Sequence, residues 1–156
     1  MTKAIPATQL WFQNSLITIH VPASQGQDGI SILEHFVPYG SSPPLHFHRT
    51  EDEVFSVLEG EFRVRLQDQE HRFRAGDVRF IPKGTPHTYR VESSQGGRCL
   101  AITVGGEFER FVRTVSRPAE RPELPPPAGP PSADAIQALK ATAAKFGIEF
   151  VGPPLQ

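Results

Sequence analysis

The chain has 156 residues, enough for one domain of ordinary size that buries roughly 68–70% of its extended surface. Sixteen basic and 17 acidic residues leave a formal net charge of −1, which excludes the basic footprint of a nucleic-acid binder and the polybasic patch of a membrane-surface protein. No apolar run approaches the ~18 residues of a spanning helix, the opening MTKAIPATQLWFQ lacks a leader's apolar region, and the lone Cys99 allows no internal disulfide; a cytoplasmic location is expected. Proline is used at about twice its ordinary share of ~5%, which points to a turn-rich, all-β domain.

Short strands are predicted from residue 10 to residue 104. Ser15–Val21 places Ile17, Ile19 and Val21 on one face, and Gly29–Val37 follows a polar turn. Glu53–Glu59 is stopped by Gly60. Glu61–Leu66 then alternates, with Phe62, Val64 and Leu66 on one side and Arg63 and Arg65 on the other, the period of a half-buried strand. His71–Arg74, Asp77–Ile81, Pro86–Glu92 and Gly97–Val104 complete the set, and such even spacing suggests a sandwich or barrel. Past Gly105-Gly106 the period changes: Phe108, Phe111, Val112 and Val115 recur at helical spacing over 107–115. Pro118–Pro131 holds seven prolines in fourteen residues and reads as an extended linker. Ser132 is an N-cap for a second helix with Ile136, Leu139, Ala143 and Phe146 on its apolar face, Gly147 its stop, and 148–156 a short extended tail. The expected division is therefore a barrel at 1–117, a linker at 118–131, and a C-terminal helix and tail at 132–156, docked on the barrel or on a partner subunit.

The chemistry is concentrated between residues 40 and 87. Gly40, His46, His48, Glu53 and Gly60 form one group, and Gly76, Pro82, Gly84 and His87 form a second after an interval of fifteen residues. These nine positions resemble the two motifs of the cupin superfamily in identity and spacing, and the resemblance runs directly over about residues 30–104. The small single-domain bacterial cupins similar to quercetin dioxygenase fit best, with weaker matches at FERFVR and GIEFVGPPL. One position departs: the second motif ordinarily ends in Asn where Val91 stands, but that Asn is not a ligand in the family, so the metal reading is unaffected.

The residues support a metal site on their own chemistry. His46 and His48 are i and i+2 on an extended chain, so both rings leave the same face about 6.6–6.8 Å apart at Cα, a span over which two imidazoles can converge on one ion. Glu53 follows a short loop, and His87 arrives from a later strand. Asp52 is the alternative carboxylate; side-chain length and the family spacing favour Glu53. Three imidazoles and one carboxylate suit one divalent first-row metal per chain, Fe, Mn, Ni, Co, Cu or Zn, and leave positions open on an octahedral ion. Pro82-Lys83-Gly84 reads as a type II turn with Pro82 at its second position. If His87 points inward, Tyr89 and Val91 do too; Glu53 likewise takes Phe55 and Val57 inward. An apolar, aromatic cavity with one phenol would favour a small aromatic or enolic ligand.

The remaining candidates have plainer readings. His20, His35 and His71 are assigned to packing or surface, Cys99 to the core, and Arg63, Arg65, Arg72, Arg74 and Arg79 to a solvated sheet face. Trp11, Phe12, Phe108 and Phe111 are assigned to core or dimer contacts, and no residue to an organic cofactor. The resemblance implies a double-stranded β-helix, or jelly-roll, with short C-terminal helices, and a homodimer pairing through an N-terminal strand within Leu10–Val21. It also implies a metal-dependent oxidoreductase of dioxygenase type; the residues themselves make Glu53 a candidate ligand and base and the inward-facing Tyr89 a candidate substrate contact. A metal-bound binding or sensor protein, or an isomerase or lyase on the same scaffold, is the alternative.

Overall fold

The computed structural model describes residues 7–156; residues 1–6, with which the predicted barrel segment begins, lie outside the described residues. Every predicted strand from Ser15 to Val104 is present. The elements in order are β1 (Thr8–Phe12), β2 (Ser15–Val21), β3 (Ile30–Val37), β4 (Leu45–His48), β5 (Glu53–Glu59), β6 (Glu61–Leu66) and β7 (Gln69–Arg74). They continue with β8 (Val78–Ile81), β9 (His87–Val91), β10 (Gly97–Val104), α1 (Glu107–Val115), β11 (Arg117–Pro118), α2 (Ala133–Lys145) and β12 (Ile148–Gly152). All strand pairs are antiparallel. One sheet runs β11-β1-β2-β3-β10-β5-β8, and the other β12-β4-β9-β6-β7. Two facing antiparallel sheets with their strands exchanged in this order form the jelly-roll expected of the chain.

Alternation dictates what lies between the sheets. On β6, Phe62 and Val64 are buried while Arg63 and Arg65 face outward. On β10, Gly97, Cys99, Ala101 and Thr103 point in. Gly97 is required by packing, because a Cβ there would come within 2.6 Å of the Phe62 ring. The arginines on the outer face of β6 and β7 pair with acids: Arg63 with Glu70 and Glu92, and Arg72 and Arg74 with Glu61. Exposed pairs of this kind contribute about 0–1 kcal/mol each, so the sheets are held by their buried faces and ladders.

Two apolar clusters result. The first joins Val37, Phe55, Val57, Phe62, Val64, Phe73, Ile81, Val91 and Cys99, all on strands. Val91, in the place of the customary Asn, is fully buried there. The second joins Leu10, Ile17, Ile19 and Leu33 to Phe111, Val112, Ala143 and Ile148, so the C-terminal segment docks on its own barrel. Ser132 Oγ accepts from Ala135 N–H at 3.1 Å as the N-cap of α2, and Gly147 (φ 75°) ends that helix in the left-handed region.

Ahead of the predicted strand Ser15–Val21 the N-terminal segment carries a second one, and the two form a hairpin because Gln13 takes φ 55° and turns the chain between Phe12 and Ser15. Leu10 and Trp11 on the outer edge of β1 pair with Arg117–Pro118 of the same chain. One local reading is corrected. The turn after β8 begins one residue later than expected: Thr85 N–H donates to Pro82 O at 3.1 Å, making Pro82 the first residue and placing Gly84 (φ 81°) at the third, as a type II turn requires.

Candidate metal centre

The ladder between β4 and β9 has one register pair, His46 opposite His87, which brings two imidazoles from distant parts of the chain together. His48 lies two residues along β4 on the same face. Gly84 N–H donates to His48 O at 2.7 Å, so the type II turn that aims His87 also fixes the backbone of His48. Glu53 opens β5 in the facing sheet. The four side chains therefore meet between the sheets.

One nitrogen from each of His46, His48 and His87 lies within 4.8 Å of the other two. Glu53 Oε2 is 3.1 Å from His87 Nε2 and 3.3 Å from His48 Nε2. The backbone selects the tautomers of two rings: His46 Nδ1–H donates to Pro44 O and His87 Nδ1–H to Thr85 O, each at 2.8 Å. Their Nε2 atoms are thereby turned to the common centre, the arrangement that orients metal-bound histidines.

The electrostatics agree with the geometry. Burial, reinforced by the neighbouring histidines, pushes His46 down to about 3, so it is neutral. Burial also lowers His48 against the opposing pull of Glu53. For His87 burial is outweighed by the hydrogen bond and charge of Glu53, and its pKa is raised. Burial pushes the Glu53 carboxyl up, but the His87 bond and the three imidazoles outweigh it and hold it at about 2. A buried carboxylate facing three imidazole nitrogens calls for positive charge among them. A divalent cation held by these residues would supply that charge. Nitrogen and carboxylate donors in this ratio suit a first-row transition metal, so the residues fit the group expected from the sequence.

The centre opens into a cavity of about 100 Å³. Its wall includes Phe55, Val64, Ile81, Tyr89 and Cys99 from the strands, and Phe108, Leu139 and Phe150 from the C-terminal segment, with no lysine or arginine. Tyr89 stacks on Phe55 at 5.8 Å and meets the Phe62 edge at 5.4 Å. Burial drives its pKa well up, so the phenol stays protonated. Burial likewise raises the Cys99 thiol well above its ordinary range, which makes it a packed, unreactive core group.

The three adjacent acids diverge. Glu53 faces the histidines, whereas Asp52 is exposed and accepts from Lys83 N–H at 2.9 Å, outside the cavity. Glu51 is buried and caps α1: its carboxylate accepts from Glu107 N–H at 2.7 Å and Phe108 N–H at 3.0 Å. Phe12, Phe108 and Phe111, assigned to core or dimer contacts, line the cavity. Phe108 is edge-on to His48 at 5.5 Å. His35, assigned to packing, also lines it; the signal available was its inward parity with Leu33 and Val37 on β3.

The fold and the site together define a β-barrel protein with a histidine cluster inside, and it resembles known proteins. The model described as cupin domain (Cupin_2) matches residues 32–103. Quercetin 2,3-dioxygenase of Bacillus subtilis is 33% identical over 87 residues, which are 56% of this chain and 26% of that protein. A predicted oxalate decarboxylase from Thermotoga maritima shares the fold with a TM-score of 0.59 at 20% identity, over 67% of this chain and 97% of that one. KdgF from Halomonas sp. does so with a TM-score of 0.54 at 18% identity, over 60% and 80%. The matches span 26%, 46% and 52% of three curated relatives' own lengths. Residues 32–103 of this chain therefore match a cupin domain, and the fold around them is that of the cupin-like structures. Among the described residues no helix is long and apolar enough to cross a membrane.

Proposed function

We propose that this protein is a metal-dependent oxidoreductase, a dioxygenase acting on a small aromatic or enolic substrate, with His46, His48, His87 and Glu53 as the ligands of one divalent transition metal. The observation that carries the reading is the convergence of these four side chains at one end of an otherwise apolar cavity. A metal bound there would supply a Lewis acid with open positions for substrate oxygen. The remaining work belongs to the chain. Neutral His46 and His48 present lone pairs, and ionised Glu53 can accept a hydrogen bond from a substrate hydroxyl. The Tyr89 hydroxyl is available to donate to a substrate oxygen. Phe55, Val64, Ile81 and Phe108 exclude water and hold a planar ring. The 33% identity to quercetin 2,3-dioxygenase over 87 residues supports this choice among cupin chemistries.

The test is metal analysis of protein purified without a nickel column, followed by oxygen uptake with quercetin, acetylacetone and catechol after loading each metal. About one ion per chain and substrate-dependent oxygen uptake are expected. Metal-loaded protein that consumes no oxygen with any of the three would overturn the dioxygenase reading and leave the ligand set standing. Protein that takes up no ion would overturn both.

A cytoplasmic homodimer is part of the same reading. Val78 and Phe80, 62% and 58% exposed on the edge strand β8, are the apolar surface that supports a second copy as partner. Light scattering on wild type and Phe80→Glu measures it.

A further inference from the structure

His35 is the one cavity histidine outside the cluster of His46, His48 and His87. It is 7% exposed on β3, and its Nε2 is buried without a partner. Neither ring nitrogen makes a hydrogen bond among the described residues, whereas His46 and His87 each have Nδ1 committed to a backbone carbonyl. A buried polar atom left unpaired is costly, and a hydrogen-bond partner supplied from the cavity that His35 lines would offset that cost. The His35 ring lies parallel to Phe108, 5.9 Å between centroids and 7° between planes. Phe108 in turn stands 5.5 Å from His48, so a single aromatic side chain spans the distance between His35 and the metal end.

We propose that His35 is the second polar anchor of the cavity, a specificity-determining residue that hydrogen-bonds an uncharged oxygen at the far end of a ring-shaped ligand. This rests on the metal reading above, which places the ligand's near oxygens at the histidine cluster. Burial pushes His35 down to about 4, so near neutral pH it is an uncharged imidazole that donates from one nitrogen and accepts at the other. The wall holds no lysine or arginine to balance a distal carboxylate or phosphate. The ligand class is therefore a neutral hydroxylated or carbonyl-bearing ring, chelating at one end and polar at the other; sugar phosphates and dicarboxylates are rejected.

The test is calorimetry on cobalt-loaded protein with two hydroxypyranone chelators that differ in one oxygen. Kojic acid carries a hydroxymethyl group where allomaltol carries a methyl. Wild type is expected to bind kojic acid about tenfold more tightly, the scale of one net hydrogen bond. His35→Leu should abolish that preference while leaving cobalt content and allomaltol affinity unchanged, and His35→Gln should restore part of it. Equal binding of the two probes by wild type, or an undiminished preference in His35→Leu, overturns the proposal. The wild-type comparison decides even if His35→Leu fails to fold. Protein that holds cobalt but takes neither probe overturns the proposal and leaves the metal reading intact; protein that holds no cobalt overturns the metal reading and the proposal with it.

Discussion

The two apolar clusters on either side of the cavity are built from different material. The strand cluster draws on β5, β6, β7, β8, β9 and β10 with Val37 of β3, and Phe62, Val57, Val64, Val91 and Cys99 are at most 2% exposed within it. The other needs the last third of the chain: Phe111, Val112, Ala143 and Ile148 complete what Leu10, Ile17, Ile19 and Leu33 begin. The four candidate ligands stand on β4, β5 and β9, held by ladder registers and turn hydrogen bonds. The C-terminal segment lends Phe108, Leu139 and Phe150 to the wall. The difference separates two tasks. The strands fix where the donors are, and the docked segment fixes what shape of molecule reaches them.

Core truncation puts this separation under the most stress. Phe62→Ala should cost about 3–5 kcal/mol in chemical denaturation, because a fully buried ring packed on Phe55 and Tyr89 is removed from a site with little freedom to collapse. Phe108→Ala, at a half-buried wall position, should cost less than about 2 kcal/mol yet change ligand affinity, with metal content unaltered. Equal losses from the two substitutions would erase the distinction between structural core and cavity wall.

Acid should find the buried histidines next. The folded state keeps His35 neutral down to about 4 and His46 down to about 3, whereas the unfolded chain protonates both near 6.5. Between those values the unfolded state binds more protons, so stability rises with pH and is lost on acidification, at about 1.4 kcal/mol per pH unit for each such histidine. Glu53, held at about 2, acts in the same direction at lower pH: its contribution is complete above the unfolded value of ~4.3 and disappears as pH falls toward 2. His87 opposes them, since its raised pKa contributes stability that is present below ~6.5 and lost as pH rises through its folded value. Denaturation of metal-free protein from pH 7 to pH 4 should show the net decline, and His35→Leu should flatten it by about one histidine's slope. An unchanged slope would mean that His35 is hydrated in the folded state.

Much of this arrangement is legible in the residues, and the misses share a cause. The alternation in Glu61–Leu66 predicts β6, and the spacing of His46, His48, Glu53 and His87 predicts a cluster that then forms across two sheets. Both signals are local or carried by fixed turns. What was not legible depends on contacts between distant segments. Glu51 looks like its neighbour Asp52 until α1, 56 residues later, presents its free N–H groups. Phe108 looks like any helix-face aromatic until β3 places His35 against it. The tail 148–156 reads only as extended, yet Ile148–Gly152 pairs with β4 and sets Phe150 beside His46. Helical period and N-cap locate α1 and α2 along the chain, but period alone does not say which face of the barrel receives them.

Two caps test how tightly the docked segment is coupled to the barrel, with progressively smaller effects. Glu51→Ala removes the carboxylate that accepts from Glu107 and Phe108 N–H, and should cost about 1–2 kcal/mol with metal content unchanged. Because Phe108 is one of the two residues capped, ligand affinity should fall along with stability. Ser132→Ala removes only the bond from Ala135 N–H at the start of α2, and should cost about 1 kcal/mol. Its effect should be confined to amide exchange in 133–145, because Ile136 is exposed there and only Ala143 is fully buried. Faster exchange in β12 as well would show that α2 and the strand after it open together. β12 is the partner of β4 and therefore the neighbour of His46 and His48. In that case the C-terminal segment would support the donors as well as shape the cavity, and the division of labour between the two ends of the barrel would be less complete than the packing suggests.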